Sequence, residues 1–174
     1  MNLIYNGNVE ITINHSSRRH NKGSSNLFKL FASLMCGDEY SVSPLPYFIM
    51  LYDTDVDSVL INPSPDAHSE YAALNRKVVL HRYFSEQGIA ENRIFSAVFD
   101  ASITREYLSN YVVTCSKENQ LVEVKPALTL ALISQDGNSI LAAVPFLKEE
   151  YDHIVAGGSA IIKWSMSLSN GGDE

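Results

Sequence analysis

The sequence predicts a mainly β fold, an antiparallel β-sandwich or barrel with one packed α-helix. Three features carry this expectation. Asn6-Gly7 and Asp136-Gly137 each separate β-prone runs, and both dipeptides favour the positive φ angles of a type I′ hairpin turn. Several segments alternate apolar and polar residues with a period of two, the mark of a strand buried on one face. Only one stretch has sustained helical spacing, and no strand–helix rhythm runs through the chain, which argues against a parallel α/β sheet.

The first turn lies between Leu3-Ile4-Tyr5 and the run 9–13, in which Val9, Ile11 and Ile13 oppose Glu10 and Thr12. From Ser24 to Gly37 the period lengthens. Leu27, Phe28, Leu30, Phe31, Leu34 and Met35 recur at helical spacing, Ser24 or Ser25 suits the N-cap, and Gly37 suits the C′ position. The apolar arc of this helix is wide, so it should lie on the core or between the core and a neighbouring subunit. Beyond Pro44 and Pro46, residues 47–52 form a continuous apolar run of strand length.

A polar, turn-rich stretch over 62–69 leads to a short predicted helix over 70–76 and a strand over 78–84. In 93–103, Phe95, Ala97, Phe99, Ala101 and Ile103 share one face, and Ser96, Asp100 and Ser102 the other. Residues 105–109 read as a helical turn, and 111–115 and 121–124 as short strands. The second turn joins 128–133 to 140–144. The last strand sets Ile162, Trp164, Met166 and Leu168 against Ile161, Lys163, Ser165 and Ser167. The expectation is about eight strands in a single β-rich domain, 1–174, with a flexible tail from about residue 170.

Composition narrows the function. Apolar residues make up 45% and charged residues 19%, enough apolar matter for a core and too little charge for global disorder. The formal charge of −7 argues against direct nucleic-acid binding, which needs clustered Lys and Arg. The one basic cluster, Arg18-Arg19-His20 with Lys22, reads as a solvated loop in preference to an anion site. Cys36 and Cys115 are too few for a disulfide framework and lack metal-ligand spacing, so two reduced thiols are expected. No signal-peptide pattern or bilayer-length apolar run occurs, which predicts synthesis in a cytoplasm and no membrane partner.

Motifs for chemistry fail one by one. Asp53, Asp55 and Asp57 resemble the opening of a calcium loop, but its sixth and twelfth positions hold Ser58 and Ser64. A solvated strand-end turn is the preferred reading. His15, His20, His68, His81 and His153 are scattered without zinc spacing, although His15 and His20 could meet across a turn. Gly157-Gly158-Ser159 is a turn before a strand and not a nucleophile elbow. The run 21–25 precedes a helix but lacks the glycine pattern of a phosphate loop, leaving at most an adventitious anion at the helix N-terminus. Carboxylates such as Glu149, Glu150 and Asp152 cannot be paired across a cleft from sequence, so a hydrolase remains a distant alternative. The expectation is a protein that is not an enzyme and has no catalytic, cofactor or metal residues. Exposed aromatics offer another alternative, a carbohydrate-binding module, with Tyr40, Tyr47, Tyr52 and Tyr71 as candidates and burial favoured for Tyr47 and Tyr52.

Three passages carry a resemblance. The predicted hairpin 4–13 runs through Arg19-His20-Asn21-Lys22-Gly23 into the apolar helix 27–35; residues 130–133 lead through Asp136-Gly137 to 140–142; and the chain closes on the Trp-bearing strand 161–170. Together they resemble small structural proteins of tailed bacteriophage virions, found at the tail, baseplate or head–tail neck. The resemblance covers about half the chain, and 53–93 lie outside it. It implies a β-sandwich in the virion, made in the host cytoplasm, that contacts copies of itself in a ring or small cyclic oligomer and other virion structural proteins. A capsid decoration or fibre-anchoring role is the neighbouring alternative.

Overall fold

The computed structural model describes residues 2–35, 47–88, 94–110 and 128–171. Among them nine strands form one antiparallel sheet: β1 (Asn2–Thr12), β2 (Ser16–His20), β3 (Lys22–Gly23), β4 (Tyr47–Asp53), β5 (Val78–Gln87), β6 (Ile94–Ile103), β7 (Leu128–Ile133), β8 (Ile140–Phe146) and β9 (Ala160–Gly171). Three α-helices accompany them, α1 (Ser25–Met35), α2 (Val56–Ile61) and α3 (Lys148–Val155), with 3-10 turns at Pro65–Tyr71 and Arg105–Tyr107.

The strand order is β2-β1-β9-β6-β5-β4-β7-β8-β3. Its two edge strands, β2 and β3, are separated in the chain by Asn21 alone, so the sheet curls until its ends meet as a nearly closed barrel. The predicted fold class is therefore the observed one. β5 turns one corner, because Val78–Leu80 pair with β4 while His81–Gln87 pair with β6. A strand that changes partner along its length carries the sheet from one wall to the next.

Side chains fasten the other corner. Arg19 of β2 donates to the Pro145 carbonyl of β8 at 2.9 Å and forms a two-pronged pair with Glu150 of α3, at 2.6 and 2.7 Å. Glu150 is 2% exposed, and its Oε1 also accepts the Leu147 amide at 2.8 Å, which caps α3. Leaving edge strands unpaired would invite association with other chains. Here the seam is held by ion pairing instead of a complete ladder.

Burial differs between the two walls. All six residues of β7 and all of β8 except Pro145 are buried, because the barrel core lies on one side of them and α1 and α2 pack on the other. Continuous apolar strands are what two covered faces require. In the wall β2-β1-β9-β6-β5, by contrast, Val9, Ile11, Ile162, Trp164, Phe99 and Ile103 point inward, while their neighbours in sequence point out. Among the described residues, nothing covers the outer face of that wall.

Several expectations are corrected. Asn6-Gly7 makes no hairpin, because β1 runs straight through it and pairs with β9 from Asn2↔Gly171 to Thr12↔Ile161. Gly7 serves a close approach instead: a Cβ there would lie 2.0 Å from the Asn21 Oδ1, and the Asn21 amide donates to the Gly7 carbonyl at 3.0 Å. The first turn falls at 13–15. Asp136-Gly137 does join two strands, but through a longer loop closed by Ser134 to Ser139 at 2.9 Å, with Gly137 at φ +78°.

The predicted helix over 70–76 is absent, since the 3-10 turn at Pro65–Tyr71 is followed by extended chain drawn against β4, with the Ala73 amide on the Leu51 carbonyl at 2.8 Å. The helices α2 and α3 were not anticipated, and the basic cluster is a strand and not a loop. β9 continues through Gly171, past the start of the predicted tail. The predicted strands 111–115 and 121–124, together with Cys36, Gly37, Tyr40 and Cys115, lie outside the described residues.

Candidate functional site

Strand register turns the outer face of the β2-to-β5 wall into an ordered grid. Antiparallel pairing sets side chains of one parity opposite one another, so each outward row crosses all the strands. One row reads His81, Asp100, Lys163, Glu10, Arg18 from β5 to β2. Its charges alternate in sign, with the histidine at the end. The row on one side of it reads Tyr83, Val98, Ser165, Asn8, His20, and beyond that lies Ser85, Ser96, Ser167, Asn6. The row on the other side contains Ser102, Ile161, Thr12 and Ser16.

Within this face Ser96 and Ser167 share a hydroxyl–hydroxyl hydrogen bond of 2.8 Å, and Arg18 meets Glu10 at 3.5 Å. Lys163 and Asp100 stand next to opposite charges, yet neither closes an ion pair among the described residues. Small residues on β6 and β9 form the floor of a groove of about 300 Å³, with Tyr83 on one flank and Arg18 and Glu10 on the other. Tyr83 borders this groove, Val79 and Ile161 line the adjoining depression, and each of the three is close to half exposed. Chemically the surface offers fixed charges, hydroxyls, amides and one phenol on a rigid sheet. These groups suit recognition.

The positions singled out by sequence are dispersed by the fold. Strand alternation sends Arg18 and His20 to the outer face and Arg19 to the buried seam, while Lys22 Nζ meets Asp57 at 3.2 Å. Asp53 ends β4, and Asp55 caps α2 by accepting from the Ser58 amide (2.8 Å) and hydroxyl (2.9 Å). Those two hydrogen bonds hold the Asp55 carboxyl below the usual carboxylate range. Among the described residues no group of three or more His, Cys, Asp and Glu gathers as a metal site.

The start of α1, where the sequence allows at most an adventitious anion, uses its own serine as a cap. Ser24 Oγ donates to the Ile140 carbonyl at 2.5 Å and accepts from the Asn26 amide at 3.2 Å, so the helix start is already capped from within. His15 lies in the β1–β2 turn, whereas His20 is at the far end of β2 opposite Asn8, and the two do not meet. His68 is buried, with Nε2 2.7 Å from the Asn62 carbonyl oxygen. Gly157, at φ +101°, ends α3, and Gly158 lies where a Cβ would strike the His153 ring.

Of the aromatic candidates, Tyr52 is buried against His68, and burial raises its hydroxyl above the ordinary tyrosine range. Tyr47 packs edge-on against Phe99 at 4.9 Å, and burial raises its hydroxyl too. Tyr71 is exposed but stands on the 3-10 turn beside β4 and is not one of the grid residues. Sequence reasoning placed Glu10 and Thr12, Ser96, Asp100 and Ser102, and Ile161, Lys163, Ser165 and Ser167 each on one face of its own strand. It put Asn6 in a turn and Arg18 in a loop, and it gave no face to His81, Tyr83 or Ser85, for which the alternation Val79-His81-Tyr83-Ser85 is the available signal.

Compared with known proteins, the chain matches no family model, no curated protein and no solved structure. Among the described residues no helix is long and apolar enough to cross a membrane.

Proposed function

We propose that the chain is a structural component of a tailed-phage particle, holding neighbours at the tail, baseplate or head–tail neck through surface contact. The observation that carries the reading is the outer wall, uncovered among the described residues, with its alternating charge row and half-exposed Val79, Tyr83 and Ile161. Assembly proteins need rigid, patterned, repeated surfaces, and exposed apolar groups rimmed by polar ones mark such contacts. Its partners are copies of the same chain and other virion proteins, and it works without cofactor or catalysis. Mass spectrometry of purified particles should find the chain at a fixed copy number. Particles that lack it altogether would refute the reading.

A second reading, a carbohydrate-binding module, is favoured by one feature. The groove beside Tyr83 is lined by hydroxyls and amides from Asn6, Asn8, Ser85, Ser96, Ser165 and Ser167. A glycan array with binding lost in Tyr83→Ala would move the assignment there.

A further inference from the structure

We infer that the outer wall is a two-fold contact between copies of this chain, with the axis lying along the strands midway between β9 and β1. The inference rests on the reading of the chain as a self-assembling particle component, and it names the surface and the symmetry. The charge row is the argument. Read across the wall from β5 to β2, it is His81, Asp100, Lys163, Glu10, Arg18. Because neighbouring strands carry opposite signs, a second copy laid face to face matches only if it is displaced by one strand.

A two-fold axis through β9 itself would set Lys163 on Lys163, like on like. An axis midway between β9 and β1 exchanges those two strands and also exchanges β6 with β2. Lys163 then faces Glu10 of the other copy, and Asp100 faces Arg18. Each contact occurs twice, as an isologous interface requires. The alternative axis between β6 and β9 would use His81 in two of its four pairs. The β9–β1 axis uses four permanently charged pairs and is preferred.

The other rows agree with this choice. The same exchange sets Ser165 against Asn8 and Ser167 against Asn6, hydroxyl to amide, and Ile161 against the Thr12 methyl. It also gives Lys163 and Asp100 the ion-pair partners that the single chain does not provide among the described residues. Packed sheets cross at about 30°, so the central Lys163–Glu10 pairs hold register best and the outer pairs less well. Strand spacing and rise give the face roughly 600 Å² per copy, or about 1,200 Å² in total. That reaches the lower end of specific interfaces, and the polar surface predicts a wet, reversible dimer of micromolar strength.

Sedimentation equilibrium on the whole chain tests the geometry with Lys163→Glu and Glu10→Lys, each checked for folding by circular dichroism. Each variant alone opposes like charges across the axis and should weaken association by about tenfold or more. An equimolar mixture of the two restores both attractive pairs, so it should associate within about threefold of the wild type. Higher salt should weaken the wild-type dimer, since the row is exposed and screened. If a reversed charge unfolds the wall, Lys163→Gln and Glu10→Gln replace it, with about threefold weakening each and partial recovery on mixing, because the mixed dimer regains one of the two Lys163–Glu10 pairs.

Wild type that stays monomeric at about 500 μM in low salt overturns the two-fold contact, since a micromolar dimer would be nearly complete there. A monomer that binds glycans through Tyr83 gives the face to sugar. Variants that assemble just as the wild type does overturn this surface and leave the particle reading standing. That reading falls on its own evidence, absence of the chain from particles.

Discussion

Replacing Glu150 by Ala should be among the most damaging single changes available to this fold. Three hydrogen bonds vanish with the carboxylate: two from the Arg19 guanidinium, at 2.6 and 2.7 Å, and one from the Leu147 amide, at 2.8 Å. Arg19 keeps its charge in a seam where its side chain is 13% exposed, so water cannot replace what was lost. Removing one partner of a buried pair costs about 3–5 kcal/mol, a large share of the roughly 5–15 kcal/mol by which a domain is stable. Glu150→Gln keeps the shape and one acceptor and should cost about half as much. Arg19→Met combined with Glu150→Leu should return to within about 1 kcal/mol of wild type, because the desolvation of both charges is removed together. Urea unfolding followed by Trp164 fluorescence measures all three, since this is the sole tryptophan and it is fully buried. With a slope near about 2 kcal/mol per molar, the Ala variant should lose about 2 M in midpoint. A loss below about 1 kcal/mol would show that the seam does not depend on the pair, and the closure argument would fail.

Three further changes test separate parts of the structure. Gly7→Ala drives a methyl into the Asn21 side chain and should cost about 1–3 kcal/mol; recovery in Gly7→Ala with Asn21→Gly, read by thermal melting, would identify the clash as the cause. Asp55→Ala removes the α2 cap and should cost about 1 kcal/mol near neutral pH, with Asp55→Asn close to wild type by the same assay. Because the folded Asp55 carboxyl is held below its unfolded value of about 4, its charge-dependent contribution is present above that value and disappears as pH falls through the lower folded one; the gap between wild type and Asp55→Ala should narrow there. Ser24→Ala loses both the α1 cap and the hydrogen bond to Ile140 and should cost about 1–2 kcal/mol in urea; an unchanged midpoint would contradict the capping role.

The legible parts of the fold were those with local causes. Alternation in 93–103 and 161–168 announced β6 and β9, and the spacing of Leu27, Leu30 and Phe31 announced α1, because a half-buried element repeats its own period in sequence. Gly7 was misread because the same residue type serves a turn and a close packing contact, and only the position of Asn21 distinguishes them. Helix α3 carries a local signal in the sequence: Glu150 stands at its third position, His153 in its last turn and Gly157 just beyond. The six-residue α2 has little to mark it apart from Asp55. Pairing Arg19 with Glu150 was out of reach altogether, since nothing local in sequence links residues 131 apart.

The candidate site illustrates the same division. Which residues of a strand point outward is a local fact, and Glu10, Asp100 and Lys163 were each placed correctly from their own segments. That they stand in one row is a fact about register, fixed by pairings between strands up to about 150 positions apart in the chain. A shift of one residue in any pairing would move its charges to the core, which burial of Ile11, Ile162 and Trp164 forbids. The hydrophobic core therefore sets the charge row as firmly as it sets the fold. Mutations on the outer face can consequently test recognition while the inward residues hold the grid in place.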